Sequence, residues 1–456
     1  MIECKKYEGS FRELRSHKGF RSDYLSPSSA KLLDEFLSDQ VGYMVVEYPY
    51  VDADFRSSYY RDFSKRHKPI SRDSYRIHLF SGDSKVPFTN DQYLGYLTLR
   101  QTPKYSIGRS YLSPKAVKHS VGYCMLSTYK AHLLGKELVV QAFPWMQQDI
   151  NTTRCAHIAA WSIMRYFSRR QPQYSDIPLA EMANSLGSQL RSVPSHGLTL
   201  QQMAQLLSSV GFSVQIMVRP KDDPKPNRFE TKIFHYIESG LPVIASLNKE
   251  HAVALVGHGN VSSATKANLQ GIQDSSTLLP SLLCSDDNFL PYRELFREKT
   301  NHSLPSFQIE HIDAILIPMH EKMYTTPDEL LGLLLPSVEN RKPLIDKTLV
   351  RRVFLSSSKE LKLATAKVKD KVYRDYVFGL ALPKFVWVVE YASPECYDKQ
   401  LAEYRLVIDS TATVYDEDAI VFFQQPGMIL DYSEGENVID LRAQQTPFLT
   451  NNLIRI

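Results

Sequence analysis

Apolar residues recur along this 456-residue chain with two spacings, and the changes between them mark out its elements. Helical spacing over 29–39 gives way to period-two or continuous apolar runs at 42–48, 75–80, 93–100, 122–129 and 137–143, which predict strands. The polar, aromatic stretch DADFRSSYYRDFSKR between the first two runs predicts a further helix. Past Cys155, Ala159, Ala160, Ile163 and Phe167 return with helical spacing, and Arg165, Arg169 and Arg170 fall in the C-terminal half, where cations suit a helix dipole. Leu200, Met203, Leu206 and Leu207 line one face of another helix, ended by Gly211 and followed by the strand FSVQIMV. The segment TKIFHYIESGLPVIASLNKEHAVALVGHG predicts a helix capped at Gly240, then strands at 241–247 and 252–256. Apolar runs in SLLCSDD and QIEHIDAILIPM follow. From Pro327 the pattern predicts one helix and three strands, at 385–392, 404–412 and 419–425. No repeat of fixed period is present. The order predicts an α+β chain in three parts: an N-terminal α/β accessory unit over 1–140, a middle unit over 141–325, and a C-terminal unit with an antiparallel sheet over 326–456.

Composition narrows the class. Hydrophobic residues at 43% and charged residues at 23% are globular values, and the length exceeds what one ordinary core organises. A net charge of +4 is too thinly spread to argue for nucleic acid. The basic run over 61–72 is read as a solvated face. The N-terminus lacks the apolar core of a signal peptide, and the run LLGLLL is far too short to span a bilayer. Five cysteines, an odd number with no CxxC pair, suit a reducing compartment and leave no structural zinc site or cofactor motif. The expectation is a cytoplasmic protein without metal, cofactor, membrane or nucleic-acid partner.

Chemistry concentrates where the polar approach PWMQQDINTTR meets the apolar helix at Cys155. Thr152 and Thr153 are capable N-caps, which places the thiol in the first turn. Unpaired backbone N–H groups and the positive end of the dipole stabilise a thiolate there. His251 opens a strand that is apolar on both faces, as an interior strand is. Asp286 and Asp287 stand at the end of SLLC, where strand alternation allows only one of them to reach His251. A side-chain amide from Gln148 or Gln147, with the Cys155 backbone N–H, would form an oxyanion hole. His157, two positions beyond Cys155, points elsewhere. His258, seven residues after His251, faces the opposite side of the same strand, so the two cannot chelate one metal, and Cys284 reads as core.

These four blocks, QQDINTTRCAHIAAW, GLTLQQMAQLLSSVGF, GLPVIASLNKEHAVALVGHG and LLCSDD, resemble a papain-like cysteine peptidase of the C39-like group, which includes the bacteriocin-leader peptidases. The resemblance covers roughly 143–292. It implies a papain-like core, with a Cys-bearing helix packed on an antiparallel sheet bearing His and Asp. Within that core it implies Cys155 as nucleophile, His251 as general base and acid, Asp286 as its orienter and Gln148 as oxyanion donor, with Asp287 and Gln147 as alternatives. The chain departs from the family pattern at Ala156, where Gly is common, at Gln148, one position far from the cysteine, and in a longer His-to-acid interval over 260–276, expected as a hairpin or loop beside the site. The activity expected is thiol hydrolysis of a peptide or isopeptide bond in a protein or peptide substrate. Deamidation or acyl transfer through the same thioester is a second possibility, and an idle scaffold a third.

Overall fold

The computed structural model describes residues 3–102, 106–118, 121–149, 155–185, 198–222, 228–298, 307–341, 343–413, 415–416, 419–432, 437–450 and 452–456. Thr152 and Thr153, the expected caps, lie outside them. The chain is mixed α and β, with three large sheets whose pairings are antiparallel except for one short parallel pair.

The first sheet runs Glu3–Tyr7, Tyr43–Tyr50, Ser74–Phe80, Tyr93–Leu99, Ile107–Leu112, Lys136–Trp145, Ser127–Leu133. In the second, Arg293–Phe296, Ser281–Ser285, His251–Gly259, Val243–Leu247, Ile312–Met319 and Ser213–Val218 lie side by side. The third joins Ile272–Asp274, Leu349–Ser357, Phe385–Ala392, Tyr404–Asp409, Ile420–Gln425, Met428–Asp431 and Asn437–Asp440. The sheets are not separate along the chain. Gly122–Cys124 and Ile454–Arg455 both join the second sheet, and Ile272–Asp274 pairs in parallel with the third. One apolar core passes through all three, taking in Leu97, Ile163, Val253 and Trp387, and position 140 lies inside the strand Lys136–Trp145.

Two expectations change in the structure. The run over 122–129 is two strands, turning at the fully buried Met125 from the second sheet into the first. The extra interval over 260–276 is not beside His251. It leaves from Gly259, eight residues along the strand and roughly 27 Å away at strand rise, and docks on the third sheet.

Buried charge chains hold the layers together. Arg165, on the Cys155–Arg170 helix, meets Asp54 at 3.1 Å, and Asp54 also accepts from Trp161 Nε1 at 3.2 Å. Arg165 is 4% exposed and thus anchors the helix to the first sheet, rather than facing solvent at a helix end. Between the second and third sheets, Arg352 bonds Glu238 and Glu390, each at 3.0 Å, and His258 bonds the other oxygen of Glu238 at 2.7 Å. Burial alone would raise the Glu238 carboxyl, but Arg352 and His258 prevail and hold it down at about 2. No helix among the described residues is long and apolar enough to cross a membrane.

Removing Arg352 leaves two buried carboxylates without their shared cation. Arg352→Ala is expected to cost about 3–5 kcal/mol in urea denaturation. Because the Glu238 carboxyl lies lower in the folded state, its stabilisation is complete above about 4.5 and disappears as pH falls toward about 2. The variant should therefore lose less stability on acidification over that window than the wild type does.

Candidate functional site

Four chain segments converge at one end of the second sheet. The Cys155–Arg170 helix starts there, because its apolar residues pack on the His251 strand while Arg165 fixes its rotation from the other side. Cys155, at the first position, stays partly exposed over a helix buried almost to its end.

His251 begins its strand after the turn Asn248–Lys249, both left-handed with φ of 51° and 59°. The strand runs away from the site, and Ser281–Ser285 returns antiparallel beside it with Ala254 opposite Ser285. Continuing that register carries the chain past Val253 and Ala252 at Asp286 and Asp287, and so toward His251. Trp145 Nε1 donates to the Asp286 carbonyl at 2.7 Å and pins the turn from the first sheet.

The His251 ring faces Asp286 through Nε2, 2.9 Å from Oδ1, and is stacked on Phe307 with centroids 5.9 Å apart. With Nε2 occupied, Nδ1 is the nitrogen left for the Cys155 thiol, to which the ring also hydrogen-bonds. Burial alone would lower the imidazole. The hydrogen bonds to Asp286 and Cys155, reinforced by their charges, outweigh it and raise His251 to about 10. The ring is therefore an imidazolium at neutral pH, donating from both nitrogens.

The adjacent carboxylates have different surroundings. Asp286 serves both the ring and the turn, accepting from the Asn288 backbone N–H at 2.9 Å. The turn is thus capped by Asp286, because the residue opening a turn is the one whose carboxylate reaches the N–H two positions on. Asp287 is 4% exposed, and neither of its oxygens has a well-formed hydrogen bond. Oδ1 lies 3.9 Å from His251 Nε2. Burial, then the charge of Asp286, raises Asp287 to about 7, with His251 and the backbone amides of Asp287 and Gln148 opposing only in part.

Cys155 and His251 line a cavity of about 610 Å³ with Gln148, Leu200, Met203, Val218 and Asp313 among its walls. Gln148 is half-buried, and its side-chain amide has no hydrogen-bond partner among the described residues, so it can donate into the cavity. Gln147 is placed elsewhere. It is 3% exposed, with its side-chain oxygen accepting from Ser29 Oγ at 2.9 Å and the Ile107 N–H at 3.2 Å. Those bonds tie it into the first sheet, away from the cavity.

His157 is buried, and burial lowers its ring to about 4 despite the charge of Asp149. His258 belongs to the Glu238 chain, and burial pushes the Cys284 thiol far up. Three contributors had no role in the sequence reading. Asn288 brings its Nδ2 to 3.4 Å from His251 Nε2. Phe307 reaches the ring from 56 residues away, which no local pattern signals. Asp313 is the extra residue of a β-bulge, since Ser246 and Leu247 pair with Ala314 and Ile312; bulges often re-aim side chains beside sites.

Asp287 has a raised carboxyl in the folded chain, so ionising it costs stability. Relative to Asp287→Asn, the wild type should lose on the order of 2–4 kcal/mol as pH rises from about 4 to about 7, and no more above it. Urea titrations at pH 4.5 and 8 read this directly, and a pH-independent difference would contradict it. No family model, curated protein or solved structure matches the chain, so what the site can do follows from its geometry.

Proposed function

We propose that this chain is a thiol hydrolase with a papain-like core, acting on a peptide or isopeptide bond in a protein or peptide substrate. One observation carries the reading: a single imidazole is bonded at once to a carboxylate and to a cavity-lining thiol at a helix start. Cys155 is the nucleophile, paired with the His251 ring that activates its sulfur. It attacks the carbonyl carbon. The tetrahedral oxyanion is received by the Gln148 side-chain amide and the Cys155 backbone N–H. His251 Nδ1 passes its proton to the leaving amine, and the thioester remains. Water, deprotonated by the now neutral ring, releases the acid and restores the pair. Asp286 holds Nε2–H throughout, so that Nδ1 keeps facing sulfur.

The other thiols differ in their surroundings. Burial raises Cys4, Cys124 and Cys284. Iodoacetamide at pH 7 should therefore alkylate Cys155 first, as read by peptide mass spectrometry. His251→Ala should slow that alkylation roughly tenfold, because an unassisted thiol is only a few per cent thiolate at this pH. Alkylation of Cys155 no faster than of Cys4 would mark an idle scaffold and end the proposal.

Hydrolysis requires the Nδ1 proton, and His251 is raised to about 10. The group is charged below that value and neutral above it. kcat/KM should stay high through pH 9 and fall as pH rises past about 10. A peptide library separates the reactions sharing the thioester. Cleaved chains indicate hydrolysis, whereas an intact chain heavier by about one mass unit indicates deamidation of a glutamine.

A further inference from the structure

Asp287 has no part in the proposed reaction, yet it is the costliest group at the site: a carboxyl shut off from water, beside a second carboxylate, with no well-formed hydrogen bond. A buried charge of this kind is normally paired or bound to a metal. Its near oxygen, Asp286 Oδ1 and His251 Nε2 all lie within 4.8 Å of one another. Nε2 is 2.9 Å from the Asp286 oxygen and 3.9 Å from that of Asp287. Ligands about 2.0–2.2 Å from one tetrahedral zinc ion sit roughly 3.3–3.5 Å apart. The two separations from Nε2, 2.9 and 3.9 Å, bracket that span, and the two carboxylate oxygens lie within 4.8 Å of each other, so adjustment of the side chains brings the three donors onto one ion.

The fourth position has a ready donor. With Nε2–H given to Asp286, the Asn288 NH₂ group at 3.4 Å faces a second donor, and turning that amide over presents its oxygen instead. Asn288 is exposed and is not among the residues lining the Cys155 cavity.

We propose that His251 Nε2, Asp286, Asp287 and the Asn288 side-chain oxygen form a regulatory site for a divalent first-row metal ion of the zinc class. One imidazole and oxygen donors suit such an ion better than calcium or magnesium, which take oxygen ligands in larger numbers or keep their water. On binding, a metal–Nε2 bond replaces the Nε2–H bond, and that proton passes to solvent. The metal then occupies the position from which Asp286 orients the ring, and holds the ring toward the carboxylates. The consequence for catalysis rests on the proposed thiol hydrolase; the site itself does not involve the sulfur.

The test removes the nucleophile. The full chain carrying Cys155→Ser, titrated calorimetrically with zinc sulfate at pH 7, should bind one ion. Adding Asp287→Asn, which keeps the side-chain shape, should weaken binding at least about tenfold, and adding Asp286→Asn should do the same in an independent variant. Loss of zinc binding in Cys155→Ser alone would show the metal held between sulfur and imidazole and overturn the inference. Affinity unchanged by Asp287→Asn would overturn it equally. Neither result depends on hydrolysis, so failure here is distinct from failure of the thiol hydrolase.

Discussion

The Arg165 guanidinium against the Asp54 carboxylate sets the rotation of the helix on which the site depends. A helix advances about 100° per residue, so slippage by one position would turn the Cys155 sulfur away from His251. Apolar packing alone holds such a helix loosely, because Ala, Ile and Trp side chains tolerate small rotations at little cost. A buried ion pair does not. Arg165 also donates to Tyr111, and Asp54 also accepts from Trp161, so several directional bonds agree on one angle. Breaking the pair from one side would leave Arg165 to Asp176 or Asp54 to Arg109, and the bond that fixes the angle would be lost. The helix carrying the thiol is thus indexed by the first sheet, while its apolar face rests on the second. The first sheet is in this sense part of the site without contributing a residue to the cavity.

The same feature explains what could be read from the sequence and what could not. The Cys155 helix, the His251 strand and the acid after SLLC were legible because each is signalled within about ten residues. Two interior strands were not. Ile107–Leu112 carries Arg109, and Leu349–Ser357 carries Arg351 and Arg352 in its middle. Charges at such positions break the apolar run that marks an interior strand. In the folded chain Arg109 meets Asp52 and Asp54, Arg351 meets Asp274 and Glu339, and Arg352 meets Glu238 and Glu390. Most of those acids are distant in sequence, so each strand becomes apolar in effect only once its partner arrives. The site shows the same limit: Asp286 was within reach of pattern reasoning, and Phe307 was not.

Electrostatic separation of two neighbouring carboxylates is the site's second constraint. Asp286 and Asp287 differ by one position and share the same ring, yet only Asp286 is supplied with donors, from the imidazole and the Asn288 N–H. The charge of Asp286 in turn raises its neighbour. Asp287, raised to about 7, is therefore only partly ionised near neutral pH, beside one imidazolium. Were both fully ionised, the surplus charge would pull the ring toward the carboxylates and away from sulfur. Burying Asp287 moderates the field that Asp286 would otherwise be only part of.

The third sheet reaches the site through this balance rather than through contact. Its strand Leu349–Ser357 neutralises Glu238 through Arg352, and Glu238 holds His258 at the far end of the His251 strand. The strand is thereby fixed at both ends by histidine–carboxylate pairs, one facing the cavity and one facing the third sheet. Between them lie Val253, Ala254, Leu255 and Val256, all fully buried, whose register is set by the backbone ladders to the strands on either side. The charged pairs at the two ends add directional side-chain bonds to those ladders. Ion pairs on both sides of the sheet thus brace the strand that carries His251, which gives the C-terminal layer a mechanical reason to share a core with the residues around the thiol.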